Sequence, residues 1–180
     1  MAKKDEEFAR LVAAHRRALL RYGLRRVDDR FAAEEVVAET YVVAWRRWGA
    51  KPDPDEEIFW LYGIARGVVS NVRRSQSRSL RLEGRLAFER EGEQESPRYG
   101  EEDVEQLMRA LGALSPNEQE LLQFAYWEKL SYREIGLVLD CSEKAVGIRL
   151  SRARQKLRHW LNESSSGITA LPTLKEEKQP

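Results

Sequence analysis

The chain has 180 residues, 42 % of them apolar and 34 % charged, and Lys+Arg 31 against Asp+Glu 30 leave a net charge of +1. That length allows one medium domain or two small ones, and no apolar run approaches the roughly 18 residues that a membrane span needs. The single cysteine, Cys141, excludes an internal disulfide, and with only His15 and His159 beside it no metal or histidine-based catalytic centre is expected, so the starting expectation is a cytosolic, cofactor-free protein whose work is binding.

The first residues, Met1-Ala-Lys-Lys-Asp-Glu-Glu, carry no apolar segment behind the lysines, so no secretory signal is expected. Residues 5–26 place Phe8, Leu11, Val12, His15, Leu19 and Tyr22 at helical spacing. Residues 32–48 repeat the pattern with Ala33, Val36, Val37, Thr40, Tyr41, Ala44, Trp45 and Trp48, leaving Glu34, Glu35, Glu39, Arg46 and Arg47 on the opposite side. A loop follows. Asp53-Pro-Asp-Glu56 has the form of a capping box with proline at the first helical position. The next helix is expected to run to about Arg74, with Leu61, Ile64, Ala65, Val68 and Val72 inward. Phe59, Trp60 and Tyr62 cannot all share that stripe, and Arg66, Ser70, Arg73 and Arg74 fall on one face. Exposed rings beside guanidinium groups suit single-stranded nucleic acid, because rings stack on bases and arginine forks hold phosphates.

Charge then divides the chain. Residues 66–82 carry five arginines and no acid, residues 83–106 sum to −6, and residues 140–162 sum to +4. The acidic stretch also holds Gly84, Gly92, Pro97 and Gly100 with little apolar periodicity, which reads as a linker. Beyond it, Val104, Leu107, Met108, Leu111 and Leu114 make an amphipathic helix. Ser115-Pro-Asn-Glu118 and Ser131-Tyr-Arg-Glu134 are capping boxes opening two more helices. After the turn Asp140-Cys-Ser142, a basic helix with Ser142 as N-cap is expected to run to about Leu161. A short helix, a tight turn and a longer basic helix form a helix-turn-helix, with Gly136 allowing a close approach of its two helices. Lys144, Arg149, Arg152, Arg154 and Lys156 are the candidate DNA contacts on the second helix.

Ala33-Glu-Glu-Val-Val-Ala-Glu-Thr-Tyr-Val-Val-Ala-Trp45 with Phe59-Trp-Leu-Tyr-Gly-Ile-Ala-Arg66 resembles region 2 of bacterial sigma factors. Leu111-Gly-Ala-Leu-Ser-Pro-Asn-Glu118, Leu130-Ser-Tyr-Arg-Glu-Ile-Gly136 and the run Ser142 to Arg154 resemble region 4. A chain with these two regions alone resembles the extracytoplasmic-function class of RNA polymerase sigma factors. The resemblance implies an all-α fold of two small helical domains joined by a flexible acidic linker: region 2 over 5–78, linker 79–103, region 4 over 104–162 and a polar tail 163–180. It implies docking through Glu34, Glu35 and Glu39 on the clamp helices of the polymerase β′ subunit, and capture of a flipped base of the −10 element by the Trp48–Asp55 loop. It further implies strand opening and backbone contact by Trp60, Tyr62, Arg66, Arg73 and Arg74. The second domain would read the −35 element and sit on the β-subunit flap, and an anti-sigma factor is an implied partner. No bond-making chemistry would belong to the chain.

This sequence departs from the family pattern at Ala38, where glutamine is usual, at Gly67, where asparagine is common, and at Ala145, Gly147 and Ile148 in the recognition helix. Gly147 cannot read a base edge and Ile148 could touch only a thymine methyl. A second reading is therefore a sigma-like adaptor that binds polymerase or a regulatory partner without initiating at promoters of its own. A plain helix-turn-helix repressor leaves the aromatic and arginine face of the first half unused.

Overall fold

The computed structural model describes residues 2–83 and 101–164, with side chains described over 3–74 and 106–162. Among these residues the chain forms α1 (Ala2–Leu24), α2 (Arg30–Arg46), α3 (Glu57–Glu83), α4 (Glu101–Gly112), α5 (Pro116–Tyr126), α6 (Tyr132–Leu139) and α7 (Glu143–Ser164), with 3-10 turns at Trp48–Ala50 and Pro54–Glu56.

Helices α1 to α3 form the first domain, because each has one apolar face that must leave water. Leu11, Leu19 and Tyr22 of α1 meet Ala33, Val36, Val37, Tyr41 and Ala44 of α2 and Leu61, Ala65, Val68 and Val69 of α3 in one buried cluster. Each fully buried leucine of this set contributes roughly 1.5–3 kcal/mol over its exposed state. Thr40 is buried too, and its hydroxyl donates to the Val36 carbonyl at 2.6 Å, which satisfies it. Asp29 caps α2, its carboxylate accepting the Ala32 N–H at 2.7 Å.

The second domain is built from α4 to α7. Both predicted capping boxes form, Ser115 with Glu118 and Ser131 with Glu134, and the Ser142 hydroxyl accepts the Ala145 N–H at 3.2 Å at the start of α7. Asp140 ends α6 in the left-handed region at φ 50°, which turns the chain sharply into α7. The place of Gly136 explains the turn's tightness: a Cβ there would lie 2.6 Å from the Cys141 carbonyl oxygen. The closest approach is to the turn backbone, and Glu143 at the start of α7 follows with its N atom 3.6 Å from the same Cβ.

The two domains meet. Tyr22, Tyr62 and Phe124 bring their rings within 5.1, 6.0 and 6.2 Å of one another, so the cores are continuous. Helix α3 lies against α6 closely enough that a Cβ on Gly63 would stand 3.1 Å from the Val138 carbonyl oxygen.

Some boundaries differ from the sequence expectation. Helix α3 continues past Arg74 to Glu83, since no helix breaker stands before Gly84, and α4 starts earlier, at Glu101, where acidic residues suit a first turn. The rest of the predicted linker, 84–100, and the tail from 165 lie outside the described residues. The predicted capping box at Asp53 does not form: Asp53 makes no side-chain cap bond, and the Glu56 carboxylate instead accepts from Arg133 at 3.0 Å.

Candidate nucleic-acid interface

The outer face of α2 carries the first candidate set. Glu34, Glu35 and Glu39 are exposed, as is Ala38, and Glu34 accepts from Arg30 one turn earlier at 3.1 Å. Phe31 and Val42 share this face by helical spacing and are 79 % and 39 % exposed. An apolar strip edged by carboxylates is a surface that water does not favour and that an apolar, basic partner would. The sequence reading named the three glutamates and missed Phe31, which lies outside the motif it matched.

After α2 the chain turns over an aromatic cluster. Trp48 packs edge-on to Phe8 at 5.6 Å and lies 6.3 Å from Trp45, whose ring carries the Lys4 ammonium at 3.8 Å. An open cleft lined by Glu7, Arg10, Lys51, Pro54 and Glu57 adjoins the loop. Glu57 holds its floor, accepting from Lys51 at 2.6 Å and lying 3.3 Å from the His15 ring nitrogen.

The second domain covers one end of the α3 face that sequence reasoning assigned to nucleic acid, at Tyr62 and Arg66, while Ser70, Arg73 and Arg74 stay exposed. Phe59 is buried, and so is Tyr62, between Tyr22 and Phe124, where burial and then the nearby Glu128 charge push its phenol up to about 12. Trp60 is half-buried. The Arg66 guanidinium donates to Glu120 and to Asn117 at 3.0 Å. Arg73 donates twice to the Arg26 carbonyl, at 2.9 and 2.7 Å, and Arg74 to the Ser70 carbonyl at 3.2 Å. The exposed aromatics expected beside these arginines are therefore not exposed, and Tyr62 packs against Phe124 at the seam between domains.

Helix α7 turns Val146, Leu150 and Ala153 fully inward. Lys144, Arg149 and Arg152 are exposed on its outer side, Arg149 reaching the Cys141 sulfur at 3.8 Å. The other two candidates are held within the domain. Arg154 donates to the hydroxyls of Tyr126 at 2.9 Å and Tyr132 at 3.2 Å. Lys156 donates to Glu118 at 2.5 Å, and this bond with the Ser115 cap holds the Glu118 carboxyl down to about 2.

Residues 11–79 match the family model for sigma-70 region 2, and residues 104–157 match that for sigma-70 region 4. The chain is 31 % identical over 152 residues to the ECF RNA polymerase sigma factor SigL of Mycobacterium tuberculosis, covering 83 % of this chain and 85 % of that one. It belongs to the extracytoplasmic-function sigma factors. Among solved structures, CnrH in complex with the cytosolic domain of CnrY is 27 % identical with a TM-score of 0.59, covering 89 % of this chain and 91 % of that chain. The sigma factor RpoE of Bartonella quintana, in complex with the anti-sigma factor NepR, shares the fold at 22 % identity and a TM-score of 0.61, covering 87 % and 98 %.

In this sigma factor sequence reasoning also missed the polar contacts at the seam. Arg26 is 5 % exposed, lies 3.6 Å over the Tyr22 ring and donates to Glu128 at 2.9 Å. Glu128 also accepts from Arg25 at 3.1 Å, and Tyr22 donates to Glu120 at 3.3 Å. These pairs join positions about a hundred apart, and no local pattern marks either end. No helix of the described residues is long and apolar enough to cross a membrane.

Proposed function

We propose that this sigma factor loads core RNA polymerase onto promoters through two separable surfaces, with region 2 over about 5–78 and region 4 over about 104–162. The α2 face supports docking on the β′ clamp helices: Phe31, Ala38 and Val42 supply apolar contact and Glu34, Glu35 and Glu39 the charge that fixes its register. The cleft beside the Trp48–Asp55 loop, with Arg10 and Lys51 on its rim, is the site for a base flipped out of the non-template strand. Trp60, Tyr62, Arg66, Arg73 and Arg74 would separate and hold the strands. For Tyr62 and Arg66 this role requires the second domain to leave α3, because Phe124, Asn117 and Glu120 occupy both in the closed arrangement.

Region 4 would sit on the β flap and bring α7 to the −35 element, with Lys144, Arg149 and Arg152 contacting phosphates. Arg154 and Lys156 are better placed to brace α7, through Tyr126, Tyr132 and Glu118, than to meet DNA. The acidic 79–103 segment would run along the polymerase channel for nucleic acid. An anti-sigma factor is a fitting partner, as NepR is for the sigma factor RpoE of Bartonella quintana. The protein would act in the cytoplasm, at the nucleoid when polymerase-bound, with polymerisation left to the core enzyme.

The observation that carries this reading is the α2 face, an exposed apolar strip edged by carboxylates on the domain that matches region 2. Transcription in vitro with core polymerase and a genomic DNA pool tests it. Discrete transcripts that depend on the protein are expected; firm core binding with no specific transcript would favour the adaptor reading.

A further inference from the structure

The recognition helix lacks polar base-reading side chains at two central positions, Gly147 and Ile148. Ile148 is 46 % exposed. Lys144 and Arg152, one turn before and one turn after it, are exposed on the same side. The three form a stripe about 12 Å long, cation, isoleucine, cation. Its orientation is set by the opposite side of α7, where Val146, Leu150 and Ala153 are fully buried.

Gly147 leaves open the surface beside Ile148, and the Tyr132 ring takes that place: a Cβ on Gly147 would lie 3.6 Å from two ring carbons. The ring is held there because the Tyr132 hydroxyl accepts from Arg154 at 3.2 Å. The centre of the outward face is thus apolar on both sides of Gly147, and its ends are cationic. A surface of that kind complements one partner in particular. Duplex DNA supplies phosphates at the spacing of the two cations, and its major groove offers one apolar group among the donors and acceptors, the C5 methyl of thymine. Pressed against any other base edge, Ile148 strips water from polar atoms and returns no hydrogen bond.

We propose that Ile148 is a specificity-determining residue that reads thymine in the −35 element through its methyl group, while Lys144 and Arg152 hold the flanking phosphates and Tyr132 fills the gap left by Gly147. This rests on the reading of the second domain as the −35-binding unit.

The test uses holoenzyme assembled from this chain and core polymerase, with a duplex pool randomised over the −35 window. Enrichment of thymine at one or two positions is expected. Replacing that thymine by deoxyuridine removes the methyl and keeps every hydrogen-bonding group. For the parent holoenzyme this loses about fourfold in affinity, the worth of one buried methyl. Ile148→Ala loses a similar factor on the thymine duplex and is indifferent to deoxyuridine. Because Ile148 is exposed and alanine favours helix, the variant is expected to fold, which circular dichroism checks. No thymine enrichment, or an equal deoxyuridine loss in parent and Ile148→Ala, would overturn the proposal. Arg152→Ala combined with Lys144→Ala and Arg149→Ala separates this from the underlying reading. If the combined variant leaves both −35 affinity and its salt dependence unchanged, the second domain is not the DNA-binding unit. If it weakens binding on every sequence while thymine stays immaterial, the assignment of Ile148 alone has failed.

Discussion

The pair Arg26 and Glu128 offers a direct probe of how the two domains hold together. The Arg26 and Glu128 side chains are 2 % and 5 % exposed and meet at 2.9 Å, and the Arg26 Nε and Nη2 have no hydrogen-bond partner. Changing Glu128 to leucine leaves a buried guanidinium without its counter-charge, which costs about 3–5 kcal/mol. The chain can avoid that cost in one way, by parting the domains so that Arg26 meets water. At about 1.4 kcal/mol per tenfold change, the closed-to-open equilibrium shifts by a factor on the order of 10²–10³. Glu128→Leu is therefore expected to enlarge the scattering radius of the free protein and to return the Tyr62 phenol from about 12 toward its ordinary range in a spectrophotometric titration. The sign follows from the raised value: the closed form favours the neutral phenol, so its contribution is full below about 10 and is lost as pH rises toward 12. The double variant Arg26→Met with Glu128→Leu replaces the ion pair by apolar groups of similar size and is expected to close again. Both variants lack the Glu128 charge, and the double variant also lacks the Arg26 charge that lowers the Tyr62 phenol, so the scattering radius is the readout that decides between them. A single variant as compact as the parent, or a double variant as open as the single, would refute the reasoning.

Gly136→Ala places a methyl 2.6 Å from the Cys141 carbonyl oxygen and is expected to destabilise the second domain by about 1–3 kcal/mol, read as a lowered Tm. The depressed Glu118 carboxyl contributes stability above its usual 4.5 that is lost as pH falls toward about 2. In Lys156→Met that acid sensitivity is expected to shrink, and an unchanged melting profile across this window would remove the Lys156–Glu118 contact as its cause. Charge reversal of Glu35 and Glu39, both exposed, is expected to weaken core-polymerase binding without changing Tm, and an unaltered affinity would exclude the α2 carboxylates from docking. Arg149→Ala is expected to weaken promoter binding almost uniformly across sequences and to flatten the salt dependence by about 0.9 per lost phosphate contact. A sequence-selective loss would make Arg149 a base reader.

The closed arrangement also bears on how such a factor is engaged. Glu120 and Asn117 of α5 hold the Arg66 guanidinium in the closed arrangement, so a partner that would use it competes with α5.

What the sequence determined by itself is what local chemistry can write. The caps at Ser115, Ser131 and Ser142, the helix-turn-helix turn and the inward stripes of α1 to α3 all depend on spacings of three or four residues. Membership of the sigma factors was legible for the same reason, since its motifs are continuous. Tertiary structure decided which partner covers an ambiguous face. Periodicity showed that Phe59, Trp60 and Tyr62 could not share one stripe, yet it could not say that Phe124 would bury Tyr62. A capping box was written at Asp53, but Glu56 was drawn away by Arg133, 77 positions along the chain. Arg26 carried no sequence signal at all, because its meaning comes from Glu128, 102 positions away. An amphipathic helix announces that it has a face to bury; what it buries that face against is settled only when distant segments compete for it.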